Sequence, residues 1–397
     1  MSLFSFVYKN IRSSPLRSAV AFLCVMGASA FFMATLVLSR GAQDSMQKGL
    51  ERLGADILVV PNGAQTDIET ALLMGKPSNI WMPESYINTI ASMNGVAAVS
   101  PQIYLQSLFQ ASCCSVSETF LVVYDPATDF TITPWLEQKL GRPLGEGEVV
   151  GGADIFSPTG NGTIELYGTT LKLVGDLEAT GTGMDQTIFF TQATAQEIAA
   201  ASMTKAVSPL ELPSEEISSI LIKLAPGVDA RTVTAQIYLQ IPSVVPILSP
   251  QLFGTFREQL LGLLAAIMVF VALAWILSAV LIALVFSMSA SDRRRQMAVL
   301  RALGATRRYV LKTLLTEGLL IATAAAVFGA VLGTLGIFIY QGYFAGHIQL
   351  PFLFPSPVSL LVIFLLVLTA SPITVAVAII FPAMKISQME PAMGMRE

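Results

Sequence analysis

The 397 residues are 53 % hydrophobic and only 13 % charged, against about 25 % charge in soluble domains. With a mean hydropathy of +0.66, the chain reads as an integral membrane protein. The net charge of −4 conceals an asymmetry: Arg40 to Glu258 holds 23 acids against 11 bases, and the rest holds 12 bases and 4 acids. Those bases bracket apolar runs, which marks membrane orientation. No base-reading module accompanies them, so a nucleic-acid partner is excluded.

Residues 1–17 carry three bases and no acid, with Leu3, Phe4, Phe6, Val7 and Ile11 opposite Lys9 and Arg12. This predicts a short amphipathic segment on the cytoplasmic surface. Residues 18–39 are uncharged and long enough to span about 30 Å of hydrocarbon, longer than a signal-peptide core. Residues 40–54 continue the helical period as a stalk, with Met46, Leu50 and Leu53 as its stripe and Gly54 as its C-cap.

Residues 55–248 form a large extracytoplasmic domain. Strands are expected at Asp56–Val60, Val96–Val99, Phe120–Val123, Gly147–Val150, Thr163–Leu166, Thr170–Val174, Thr187–Phe190 and Ile217–Lys223. Helices are expected at Pro83–Met93, Ala193–Ser202 and Asp229–Gln240. The mixture argues an α+β domain inserted between the first and second of four transmembrane helices. Ser249 and Pro250 are expected to open a second stalk over 249–259.

The second span is 260–287, the third 317–340 and the fourth 357–381. Between them lie a cytoplasmic loop, 288–316, and an outer loop, 341–356, broken by Pro351 and Pro355. A cytoplasmic tail, 382–397, follows. Gly329, Gly333 and Gly336 make a small-residue face suited to helix packing, and Pro372 is expected to kink the fourth span.

The loop after the second span carries Arg293, Arg294, Arg295 and Arg301, followed by Arg307, Arg308 and Lys312, with Asp292 as its one acid. Met297, Leu300, Leu303 and Gly304 recur at helical spacing on one face, away from Arg294, Arg295 and Arg301. Basic clusters here and at both termini place the loop and the termini in the cytoplasm.

No phosphate-cradling GxxxxGK[ST] is present; Gly75–Lys76 is followed by Pro77. Nucleotide must therefore be bound by another chain. Cys113 and Cys114 suit a strained disulfide, a soft-metal contact, a redox role or simply a buried strand. With one His in the chain, His347, no metal cluster and no nucleophile–base pair is readable. Glu317, near the inner end of the third span, is a carboxylate within reach of Arg308 and Lys312.

The wording RRRQMAVLRALGATRRYVLKTLLTEGLL resembles the FtsX-like, MacB-type permease family of ABC transporters. The matching residues are Arg294, Leu300, Arg301, Ala302, Leu303, Gly304, Ala305 and Glu317. KNIRSSPLRSA before the first span and the glycine-rich strands of Val149–Phe190 are also similar to that family. The resemblance implies that Arg294–Thr306 forms a coupling helix docking on a cytoplasmic ABC ATPase, with Arg294, Arg295, Met297, Leu300, Arg301, Leu303, Gly304, Thr306 and Glu317 as coupling residues. Where the family usually has Glu, this chain has Gln296, so that acidic contact does not carry over.

The resemblance further implies a non-catalytic subunit in a bacterial inner membrane that binds no cofactor itself and uses ATP through its partner. It would work as a homo- or heterodimer, with a membrane-fusion or other extracytoplasmic protein as a further partner. The expected function is export or extraction of a lipid, lipoprotein, peptide or small hydrophobic compound. The alternatives are a mechanotransmitter for an outer partner, a receptor or scaffold without an ATPase, and a redox or metal enzyme using Cys113 and Cys114.

Overall fold

The computed structural model describes Val7, Arg12 and residues 15–75, 80–106, 119–157, 160–212, 214–292, 306–343 and 351–387. The chain divides into a helical unit (Met1–Gly41, Leu260–Gly342, Phe354–Glu397) and a sheet unit (Ala42–Gln259, Tyr343–Leu353).

Among the described residues, four long helices run over Pro15–Leu53, Gly254–Asp292, Arg307–Tyr343 and Pro357–Ser387. Each contains a stretch long and apolar enough to cross a membrane. The first has 39 residues, about 58 Å at 1.5 Å per residue, and so continues unbroken well past the ~30 Å needed for a span. Its end is set by Gly54, whose φ is +61°.

Three helix ends lie beyond the expected apolar spans, and the second stalk opens differently from the sequence expectation. The second and third helices continue to Asp292 and back to Arg307, so only 14 positions separate them. Charged residues end a hydrophobic run but do not end a helix, whose backbone bonds continue into water. Thr306 supplies the stop: its hydroxyl accepts the Tyr309 N–H at 3.2 Å, an N-cap that no apolar pattern reveals. The fourth helix runs to Ser387 and contains both Pro372 and Pro382. Ser249 does not cap a stalk helix. Ser249–Gln251 is a 3₁₀ turn, and the Ser249 hydroxyl donates to the Ala55 carbonyl.

Among the described residues, the sheet unit holds a nine-stranded mixed sheet. Its strands are β1 (Ile57–Pro61), β3 (Val96–Gln106), β4 (Phe120–Tyr124), β5 (Glu148–Gly151), β6 (Thr163–Leu166), β7 (Thr169–Asp176), β8 (Thr187–Thr191), β10 (Ser219–Leu224) and β11 (Val244–Leu248). Their order is β11-β1-β10-β3-β4-β8-β5-β7-β6. The β4–β8 and β5–β7 pairs are parallel and the others antiparallel. A separate ribbon pairs β2 (Met82–Pro83) with β9 (Glu216–Ile217).

Both faces of the sheet are covered. Leu58, Val60, Phe120, Val122 and Leu221 face one core, capped by helices Gln65–Met74 and Thr133–Leu140. The alternate residues of β4, Leu121 and Val123, face helix Gln192–Lys205 across Ile188 and Phe190. Ile57, Val59, Ile220 and Ile222 pack on the same side against Tyr86–Ala91 and Ala230–Gln240. This alternation is the two-residue period of a pleated strand. Burial on both faces explains why β4 is apolar throughout.

Candidate functional site

Coupling chemistry is expected where the membrane helices pack, where the basic loop joins them, and where the first helix meets the sheet unit. In the helical unit, Gly329 and Gly333 lie against the first span. A methyl added to Gly333 would overlap the Ala30 carbonyl oxygen and come 3.1 Å from Met33 Cβ; at Gly329 it would overlap Met26 O and come 2.9 Å from Ser29 Cβ. Both glycines therefore permit backbone-to-backbone contact. Gly336 meets nothing within 4 Å, so it is not part of that seam.

The first and fourth spans share a buried Ser29–Ser371 hydroxyl pair at 2.9 Å. Trp275 of the second donates its indole N–H to Thr374 of the fourth at 3.0 Å and meets Phe32 edge-on at 4.8 Å. Glu317 is 5 % exposed. With Arg17, Ser18, Ala21, Val285 and Phe286 it lines a cavity of about 10 Å³, so this carboxylate sits where three spans meet. An apolar groove of about 570 Å³ includes Met33, Leu335, Phe338, Phe354 and Phe364.

Of the expected coupling residues, Thr306 and Glu317 are placed as above. Arg294, Arg295, Met297, Leu300, Arg301, Leu303 and Gly304 lie outside the described residues, as do Cys113, Cys114 and His347.

In the sheet unit, the helix face carrying Gly49 and Arg52 packs on the turn Thr180–Gln186. Gly49 lies where an added methyl would be 3.0 Å from Thr182 Cγ2 and 3.5 Å from Met184 Cε. Asp185 is 4 % exposed. Its carboxylate accepts both the Thr180 N–H (2.9 Å) and the Thr180 hydroxyl (2.8 Å), and also the Gly181 N–H (2.5 Å). One side-chain nitrogen of Arg52 stands 3.8 Å from Asp185 Oδ1, the other donates to Glu178 O, and the guanidinium lies 5.3 Å from the Trp135 ring centre.

Burial pushes the Arg52 pKa down, opposed by the charges of Asp185 and Glu178. Burial, then the Asp185 charge, raises that of Asp154. Near the surface, Arg142 grips Glu148 with two bonds of 2.6 and 3.0 Å and holds its pKa at about 2. Sequence reasoning missed Arg52 and Asp185. The available signals were a base in the last turn of the stalk and an acid closing the Thr-Gly-Thr-Gly turn.

Two family models match the chain. The MacB-like periplasmic core domain covers residues 18–238, more than half of the chain, and the FtsX-like permease C-terminal covers 268–391. The chain belongs to the FtsX/MacB-type ABC transporter permeases. The permease is also similar to a crystal structure of the periplasmic region of MacB from Actinobacillus actinomycetemcomitans. That match has 12 % identity and a TM-score of 0.33, over 53 % of this chain and 97 % of the other. No curated protein matches it.

Four apolar helices make the permease a multi-pass membrane protein, and its family works within ABC transporters beside an ATPase. The FtsX-like match contains the basic loop, Thr306, Glu317 and the three glycines. The MacB-like match contains Arg52 and the Thr180–Gln186 turn.

Proposed function

We propose that the permease is a non-catalytic transport subunit of a bacterial inner membrane, driven by a separate cytoplasmic ABC ATPase that docks on residues 293–306. The termini and the basic loop face the cytoplasm, and the sheet unit faces outward. One observation carries the reading: two long apolar helices, Gly254–Asp292 and Arg307–Tyr343, leave only a short connection that holds four arginines and is followed directly by two more. Lys and Arg resist translocation, so the connection stays inside. Its apolar stripe, Met297, Leu300 and Leu303, is the docking face.

Closure of the ATPase moves the inner ends of the second and third spans. Glu317, buried where three spans meet, passes that motion to the first span. The unbroken helix to Leu53 carries it to the sheet unit, which expels a lipid, lipoprotein, peptide or small hydrophobic compound. A dimer of permeases and an outer partner protein complete the machine.

The test is affinity purification of the tagged permease from its native membrane, with mass spectrometry of the ABC ATPase that accompanies it. Leu303→Asp should remove the ATPase while leaving the permease folded. An ATPase retained by that variant, or none bound by the wild type, overturns the reading.

A further inference from the structure

Three segments far apart in sequence meet at the Thr180–Gln186 turn, all within the sheet unit. The first is the last turn of the helix Pro15–Leu53, through Arg52. The second is the turn itself. The third is the connection between the third and fourth membrane helices: the Phe352 N–H donates to the Gly181 carbonyl at 2.9 Å, and Phe352 is only 8 % exposed.

Gly181 makes this contact possible. Its φ is +71°, which favours glycine, and an added methyl would overlap the Phe352 carbonyl. Asp185 fixes that conformation by accepting from the backbone N–H of both Thr180 and Gly181. Arg52 positions Asp185 in turn. One guanidinium nitrogen donates to the Glu178 carbonyl, while the other stands 3.8 Å from the carboxylate as an ion pair without a hydrogen bond; an ammonium does not span both positions. Desolvating such a pair opposes its own attraction, so its contribution is placement more than stability.

We propose that Arg52, Asp185 and Gly181 form a tie that makes displacement of the first helix pull on the Phe352 segment, and through it on the fourth span, which begins at Pro357. Arg52 and Asp185 are then positioning residues for transport. The tie rests on the coupling role proposed above, but its first test needs no ATPase.

That test is amide hydrogen exchange of the full-length permease in lipid nanodiscs. Exchange at Phe352 should be slow in the wild type. Asp185→Asn and Gly181→Ala should speed it at least tenfold, with β3 and β4 unchanged. Arg52→Lys, which keeps the charge and removes the fork, should speed it by a smaller factor. Wild-type exchange at Phe352 in Arg52→Lys and Asp185→Asn overturns the tie. So does acceleration in either that is no greater at Phe352 than in β3 and β4.

The second test places spin labels at Met203, which is 72 % exposed, and Ser356 in the permease–ATPase complex. ATP with vanadate should change the label separation in the wild type. Asp185→Asn should abolish that change while ATP hydrolysis continues. An unchanged response in Asp185→Asn overturns the tie. Failure of any ATPase to bind overturns the transport reading instead, and the exchange result still decides the tie.

Discussion

Gly333 and Gly336 lie three residues apart on one helix, and the structure predicts opposite responses to the same methyl group. At Gly333 the new Cβ overlaps the Ala30 carbonyl and crowds Met33 Cβ at 3.1 Å. Restoring an ordinary contact of ~3.5 Å requires the first and third spans to part by about 1 Å, and a gap of that size forfeits about a quarter to a half of each dispersion contact along the seam. Ala322, Ala325, Ala326 and Ala330 are nearly inaccessible there, so the loss is shared by several turns. Gly333→Ala should cost about 1–3 kcal/mol.

At Gly336 nothing stands within 4 Å. Gly336→Ala should be neutral or stabilising by up to about 1 kcal/mol, because alanine lowers the entropy of the unfolded helix. The assay is reversible unfolding of the two variants side by side in mixed micelles. Equal stabilities would refute the reasoning, since the two differ only in what the methyl meets.

Three further outcomes are expected. Arg142 holds Glu148 at about 2 against an ordinary 4.5. That stabilisation is present above pH ~4.5 and is lost as pH falls toward ~2. The melting temperature of the sheet unit should therefore drop across that window, and Glu148→Gln should flatten the drop; identical pH profiles would count against the pairing. A double-mutant cycle on Ser29→Ala and Ser371→Ala should give a coupling of about 0.6 kcal/mol, and at most about 1.7 kcal/mol, with zero coupling disproving the hydroxyl pair. Leu121→Ala, in the doubly covered centre of β4, should cost about 2–5 kcal/mol in chemical denaturation, and a loss under 1 kcal/mol would contradict its 1 % exposure.

Much of the fold is legible in the chain because hydrophobic runs and their period report burial directly. Phe120–Val123 reads as a strand, and the strand runs over Phe120–Tyr124 with every residue buried. Val244–Leu248 escaped because Pro246 interrupts it. The structure puts that strand at the sheet edge, with Pro246 opposite Val59, where a missing N–H is tolerated. Helix Gln65–Met74 has no side-chain cap and forms because Ile68, Ala71 and Leu72 are buried against the sheet, a tertiary effect that short-range pattern does not encode.

At the membrane helices, charge located the apolar runs, while the helices themselves continue past those runs, as Thr306 and Pro382 show. Gly329 and Gly333 were visible as small residues at helical spacing. The exclusion of Gly336 depends on what the first span places beside it. Arg52 and Asp185 carry no joint signal, because only the folded chain brings them together.

The unbroken helix Pro15–Leu53 has a consequence for how the chain tolerates changes of length. Each residue inserted between Arg40 and Ser45 would rotate Ser45, Gly49 and Arg52 by about 100° about the helix axis relative to the helix before the insertion. Seven inserted residues would bring that face back to within about 20° while lengthening the rod by about 10 Å. Only near-whole-turn changes of length therefore keep the two ends of this helix in phase, a periodic condition that a surface loop does not have.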